Sequence, residues 1–183
     1  MELIDYLKRA RSVSKFKEGT LAREDIISLI DVGRFAFSLN NQQCLRYKVS
    51  LDADKINHIL KSSHLGIDLE KSQPSSLIAI TAPKGVGGQV YMDLGASFQN
   101  MSLFAFSKSW GMYLIQHFSE KEIVSSFNIP EEQQVLALIA LGQAESFAIA
   151  ENIDLAQSTK AYLNNEGHLR APKITSKYLI SWC

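Results

Sequence analysis

Hydrophobic residues cover nearly the whole circumference of one long predicted helix, Gln89 to Ser109. A helix on the surface of a globular protein normally keeps a polar stripe toward water. This segment therefore predicts a helix at the centre of the core or of a subunit interface. Its large apolar residues are Met92, Leu94, Phe98, Met101, Leu103, Phe104 and Phe106.

Four shorter segments have the pattern of β-strands. Leu45 to Leu51 alternates apolar and polar side chains, which predicts a strand with one buried face. Ser76 to Thr81 is apolar almost throughout, which predicts a strand in the interior of a sheet. The other two predicted strands are Gly111 to Ile115 and Val135 to Leu141.

Periodicity predicts two helices near the start of the chain. Glu2 to Arg9 forms a short amphipathic helix, and a second helix begins at Thr20 or Ala22 and reaches Phe37 with a period near 3.6. The polar cluster Ser38 to Gln43 that follows is typical of a helix exit and a loop. Any binding chemistry is expected to start in this loop.

Two further helices have capping signals. Asp52 or Asp54 caps a short helix that ends near Leu60. Ser119 and Glu122 have the spacing of a capping box, in which each side chain accepts a hydrogen bond from the other residue's backbone N–H. A surface helix is therefore predicted to begin at Ser119.

The totals are those of one ordinary globular domain. The chain has 183 residues, 46% of them hydrophobic, and a formal net charge of zero. A chain without net charge has no overall electrostatic attraction to nucleic acid or to an anionic membrane. Its apolar runs are also shorter than a membrane span. Cys44 and Cys183 stand far apart, which favours free thiols in a reducing compartment, so a cytoplasmic location is expected.

Three polar segments are candidates for a shared ligand site: Arg11 to Phe16, Ser38 to Gln43, and His168 to Lys173. Each also has an ordinary interpretation, as a helix exit, a loop and a solvated basic tail. The four histidines lack metal-ligand spacing, and the chain has neither a hydrolase elbow nor a Walker A sequence. No metal site is therefore predicted.

Several motifs, in matching order and spacing, resemble the FMN-dependent nitroreductase family. Residues Ala10 to Phe16 are similar to the family motif R-[RH]-S-x-[RK]-x-F, and Ala36 to Tyr47 is similar to A-P-S-x-x-N-x-Q-P-W-x-F. His168 to Pro172 is similar to the family's basic-x-Arg-x-Pro element. The DLGA and QN positions between Asp93 and Asn100, and the strand ALIALG at Ala137 to Gly142, extend the resemblance over most of the chain.

The resemblance implies an α+β fold with a central, mostly antiparallel sheet flanked by helices. It also implies a homodimer of single-domain chains in which residues about 150–183 wrap the partner as an exchanged C-terminal arm. The implied cofactor is FMN, with NADH or NADPH as reductant. The implied reaction is ping-pong hydride transfer through flavin N5 to an electron-poor acceptor such as a nitroaromatic or a quinone, with no catalytic side chain.

Carried over position by position, the resemblance assigns three groups of residues to the cofactor. The first group meets the phosphate and ribityl region. The second lines the cofactor, in the family often from the other subunit. The third lies beside the isoalloxazine and is able to offer a backbone N–H to N5. The first group is Arg11, Ser12, His168 and Arg170, with Ser14 near the pyrimidine edge; the second is Phe37, Ser38, Leu39 and Asn41; the third is Leu114, Ile115 and Gln116.

The chain departs from the family pattern at several positions. Ala10 stands where the family has its first arginine, and Ser14 stands where it has Arg or Lys. A cation at the second position favours the negative charge at N1 of reduced flavin, so its loss predicts a weaker or more reducing flavin site. Gln43 to Leu45 replaces Gln-Pro-Trp, and the segment between Leu60 and Tyr91 is short for the helices that cover the flavin in larger members.

Two other functional interpretations stay open because of these departures. One is a dimer of the same fold that binds flavin or another planar ligand as a sensor or carrier without turnover. The other is an interaction dimer with an empty groove.

Overall fold

The computed structural model describes residues 2–62 and 73–183. None of the helices it describes is both long and apolar enough to cross a membrane. Residues 63–72, which belong to the short segment between Leu60 and Tyr91, lie outside the described residues. The elements are α1 (Leu3–Arg9), α2 (Arg23–Arg34), β1 (Arg46–Ser50), α3 (Ala53–Ser62), β2 (Ser76–Pro83), α4 (Gln89–Ser107), β3 (Trp110–Ile115), α5 (Glu120–Phe127), β4 (Gln133–Gln143), β5 (Ile149–Ile153), β6 (Tyr162–Leu163) and β7 (Leu169–Ile174).

The chain forms two compact units, and the larger one is Ser12–Ser146. Its four strands make an antiparallel sheet in the order β1-β2-β4-β3. The two central strands, β2 and β4, carry fully buried residues such as Ile78 and Ile139, which pair directly across the ladder. The predicted interior strand and the mostly antiparallel sheet are therefore confirmed.

Helix α4 covers one face of this sheet and belongs to its core on one side only. Leu94, Met101 and Ala105 are buried on that side. On the other side Met92 is 77% exposed and Gly95 is exposed. One chain therefore buries half of a helix that is apolar nearly all round.

Helix α2 ends at Arg34, three residues before the predicted end at Phe37. The Ala36 N–H donates a hydrogen bond to the Gly33 carbonyl over 3.1 Å, which closes a tighter turn. Phe35 and Phe37 then lie outside the helix with 70% and 93% of their surface exposed. The predicted helix was too long because Phe35 and Phe37 fit the hydrophobic period although neither side chain is buried in this chain.

The capping predictions have different outcomes. Asp52 caps α3, since its Oδ1 accepts the Lys55 N–H over 2.9 Å. Helix α5 begins after Ser119 as predicted, but the Ser119 side chain makes no capping hydrogen bond. Glu122 Oε1 instead lies 3.4 Å from His58 Nε2, so the capping box was wrong.

The smaller unit consists of Met1–Arg11 and Phe147–Cys183. It contains a three-stranded sheet in which β7 pairs in parallel with β5 and antiparallel with β6. The resemblance implied a C-terminal arm for residues about 150–183, and no strand was predicted in it. Leu179 and Trp182 lie beyond the sheet with 67% and 91% of their surface exposed. The single-domain prediction stays a prediction.

Candidate functional site

An extended segment that contains Ser12 lies against strand β3. The Val13 N–H donates to the Met112 carbonyl over 2.9 Å, and the Ser12 hydroxyl donates to the same oxygen over 3.3 Å. Gly111 permits this approach, because a Cβ at that position would lie 2.6 Å from Val13 Cγ1. The structure thus brings Ser12 to the strand that carries Leu114, two residues beyond Met112.

The end of β3 offers mainly backbone to a ligand. Leu114 and Ile115 pair with Ile139 and Leu138 of β4. Ile115 is 1% exposed and its side chain belongs to the core, whereas Leu114 is half-buried. Gln116 follows the strand and is exposed. Any contact of Ile115 with a cofactor would therefore come from its main chain, as the resemblance implied.

The loop that contains Phe37, Ser38, Leu39 and Asn41 has an unusual backbone. Asn40, Asn41 and Gln43 have positive φ angles of 50°, 54° and 50°. This region costs a non-glycine residue roughly 1 kcal/mol or more, although asparagine tolerates it best. Strain of this kind concentrates at ligand-binding loops. Ser38, Leu39 and Asn41 thus lie in one strained turn, Ser38 to Gln43, and Phe37 directly precedes it. Phe37 is 93% and Leu39 51% exposed.

Hydrogen bonds hold this turn from inside and from outside. The Ser38 carbonyl accepts the Asn41 N–H over 3.0 Å, and the Ser38 hydroxyl accepts the Gln43 N–H over 3.2 Å. From helix α4, Asp93 Oδ1 accepts the Leu39 N–H over 3.2 Å. The resemblance names Asp93 only as the first residue of DLGA and gives it no role. The signal that could have found it is a single charged residue on a helix that is otherwise uncharged and mostly apolar.

A cavity of about 160 Å³ lies behind the loop and is lined by residues of α2, β1 and α4. At its inner wall the Tyr47 and Ser97 hydroxyls form a hydrogen bond of 2.8 Å, and burial raises the pKa of Tyr47. Ligand pockets for drug-sized molecules typically measure about 300–1,000 Å³. The cavity is therefore too small for a nucleotide cofactor. Of the predicted site residues, only Ser38 lines it.

Arg11 belongs to the smaller unit and has an unsatisfied donor. One terminal nitrogen of its guanidinium donates to the carbonyls of Leu7 and Ala10 over 3.1 and 2.5 Å. Its Nε is buried and has no hydrogen-bond partner among the described residues. Burial lowers the pKa of Arg11. A buried guanidinium donor without an acceptor fits an anionic group, and a phosphate is the match that the resemblance implied.

Arg170 and His168 also belong to the smaller unit. Arg170 lies on β7 opposite Tyr162, and within the described ranges its guanidinium makes no hydrogen bond or ion pair. His168 Nδ1 lies 3.3 Å from Glu166 Oε2 on an exposed turn. Arg170 is thus free to meet an anion, whereas His168 already has a carboxylate beside it. In the described part of the chain, no three or more His, Cys, Asp or Glu residues are grouped as metal ligands.

No protein-family model matches this chain, and no curated protein matches it. Solved structures do match. A nitroreductase family protein from Clostridium novyi NT is 22% identical with a TM-score of 0.69, over 80% of this chain and 87% of the other. An FMN-dependent nitroreductase from Clostridium difficile R20291 is 20% identical with a TM-score of 0.72, over 89% and 99% of the two chains. An oxidoreductase containing FMN is 16% identical with a TM-score of 0.67, over 80% and 79%. The chain therefore has the nitroreductase fold, which its sequence motifs predicted.

Proposed function

We propose that this chain is an FMN-dependent NAD(P)H oxidoreductase of nitroreductase type. The observation that carries the proposal is the buried Nε of Arg11, which has no acceptor among the described residues and lies in the motif that the resemblance assigns to the flavin phosphate. The names of two similar structures, an FMN-dependent nitroreductase and an oxidoreductase containing FMN, support the same cofactor. The cytoplasmic location remains part of the proposal.

The proposed roles of the residues follow from what each one offers. Arg11 and Arg170 supply guanidinium donors to the phosphate, and Ser12 supplies a hydroxyl. Leu114 to Gln116 supply backbone and a partly apolar surface. When bound, FMN supplies the hydride chemistry between NADH or NADPH and an electron-poor acceptor such as a nitroaromatic or a quinone. The protein need only bind and orient the reactants, so no side chain is assigned an acid, base or nucleophilic role.

The proposal includes a homodimer. In the larger unit, two large apolar side chains are exposed: Met92 on the outer side of α4, at 77% of its surface, and Phe37 just after α2, at 93%. In the smaller unit, Trp182 is 91% exposed. Large apolar side chains exposed next to one another on one unit usually mark an interaction surface, so each unit supports the dimer separately.

The test is the visible spectrum of the purified protein, followed by addition of NADH or NADPH without oxygen. A flavin spectrum that bleaches with either nucleotide is the expected result. A protein that is colourless after incubation with excess FMN and removal of the unbound flavin would overturn the oxidoreductase proposal, although the fold would stand. Turnover with a nitroaromatic and with a quinone then identifies the acceptor class.

A second candidate function is a flavin-binding dimer without turnover. Ala10 is 6% exposed, so a small apolar side chain is buried where the family has an arginine, and Ser14 is half-buried and neutral. Both observations favour a flavin that is held less tightly or is harder to reduce. This candidate predicts a flavin spectrum that neither NADH nor NADPH bleaches.

A further inference from the structure

We propose that Asp93 is a positioning residue, which holds the turn Ser38 to Gln43 in the strained conformation that presents Phe37 and Leu39 to the flavin. The part that concerns flavin rests on the proposed function. The part that concerns the turn rests on the geometry of the larger unit alone. The two parts can therefore be tested separately.

The contact itself joins two elements that are far apart in sequence. Asp93 Oδ1 accepts the Leu39 N–H over 3.2 Å, and Asp93 is 7% exposed. It is the only charged residue of α4, and within the described ranges no Lys, Arg or His forms an ion pair with it. A buried carboxylate is costly unless hydrogen bonds satisfy it. A hydrophobic residue would be the ordinary choice at this position, so the carboxylate indicates a specific task.

The turn needs an outside contact because its own geometry is unfavourable. Asn40, Asn41 and Gln43 all lie in the left-handed region. Such a combination persists only when the surroundings determine it. In the part of the chain that the structure describes, the other hydrogen bonds of Ser38 to Gln43 stay within the segment or go to Cys44 and Arg46 nearby. The Asp93 carboxylate therefore links the turn to the core helix.

The position of the contact determines which residues it controls. Leu39 is the first residue of the short 3₁₀ turn Leu39–Asn41, so fixing its N–H fixes the direction in which that turn leaves Ser38. Phe37 lies two residues before Leu39, and 93% of its surface is exposed. The core therefore does not hold the Phe37 side chain in place. Loss of the contact should release strain by relaxing the turn, with the sheet unchanged.

The first experiment measures amide hydrogen exchange at single-residue resolution on the full chain, for Asp93→Ala and Asp93→Asn. The Leu39 N–H should exchange at least about tenfold faster in Asp93→Ala, the size expected when a hydrogen bond to a charged group is lost. Asp93→Asn keeps an oxygen acceptor and should fall between this variant and the wild type. Unchanged exchange at Leu39 in both variants would overturn the inference.

The matched control is Ser97→Ala, one helical turn farther along α4. Ser97 is 1% exposed and lines the same cavity, but its hydroxyl contacts Tyr47 and Met101 and not the turn. The Ser97→Ala variant should have a lower free energy of unfolding, with the exchange rate of the Leu39 N–H unchanged. Faster exchange at Leu39 in Ser97→Ala as well would mean general loosening and would overturn a specific role for Asp93.

The second experiment measures FMN affinity in the same variants. Asp93→Ala should bind FMN at least about tenfold more weakly than Ser97→Ala. In Asp93→Ala the turn is loose before binding, so part of the binding free energy is lost in ordering it. Equal affinities together with faster exchange at Leu39 would overturn the role toward flavin. A wild-type protein that binds no FMN would reject the proposed function, and the exchange data would still decide whether Asp93 holds the turn.

Discussion

Gly33 of helix α2 lies directly against Met101 of helix α4. A Cβ at Gly33 would be 2.6 Å from Met101 Sδ and 2.9 Å from the Ser97 hydroxyl oxygen. Real Cβ atoms do not approach other atoms so closely, so the two helices can pack at this distance only because position 33 has no side chain. Helix α2 ends one residue later, at Arg34, and Phe37 follows three residues beyond that.

The first prediction concerns this contact. Gly33→Ala should lower the free energy of unfolding by about 1–3 kcal/mol, the usual cost of overpacking a core, even though alanine is the better helix former. Urea unfolding followed by circular dichroism measures the change. The control is Ser28→Ala on the same helix, whose exposed hydroxyl donates to the Glu24 carbonyl of its own helix over 2.8 Å. A Gly33→Ala protein as stable as the wild type would show that α2 and α4 do not pack this closely.

The sequence predicted the sheet well because its strands carry their own signals. β2 is buried on both faces and reads as a continuous apolar run, whereas β1 lies at an edge and alternates. The signal failed at Phe35 and Phe37, which are apolar but exposed in one chain. Hydrophobicity marks a residue for burial without saying whether its own chain or another molecule covers it.

The candidate site was predicted less completely, and for a different reason. Motif resemblance proposed Ser12 and Leu114, which both lie along β3, and that assignment stays a prediction; it gave no role to Asp93. The contact between Asp93 and Leu39 spans 54 residues and depends on how α4 packs against the turn. Local patterns do not encode such a contact. Neither do they show the positive φ angles of Asn40 and Gln43, since neither residue is glycine.

A second prediction tests the proposed dimer. Met92→Glu places a charge on the exposed side of α4, where a charge costs little in a monomer but several kcal/mol inside an apolar interface. The wild type should be a dimer by analytical ultracentrifugation, and the variant should shift toward a folded monomer. Lys121→Glu, on the exposed surface of α5, is the control and should stay dimeric. A monomeric wild type would reject the dimer.

A third prediction tests the neutral residue at position 14. Ser14→Lys should raise the flavin midpoint potential by on the order of 30 mV, which corresponds to about 1.4 kcal/mol for a two-electron couple. The reason is that a cation near the pyrimidine edge stabilises the negative charge of reduced flavin. Ser14→Ala adds no charge and should leave the potential near the wild-type value. Equal potentials in Ser14→Lys and Ser14→Ala would show that position 14 does not face the flavin.

The last prediction concerns the phosphate. Arg170→Ala should weaken FMN binding by about tenfold or more, because it removes a charge-assisted hydrogen bond to an anion. Fluorescence titration of FMN measures this change, since free and bound flavin emit differently. Lys173→Ala removes an exposed cation from the same strand, β7, and should change the affinity little at physiological salt, because exposed charges are screened. If Arg170→Ala and Lys173→Ala weakened binding equally, the tail would attract FMN only through its overall charge, and Arg170 would not be a phosphate ligand.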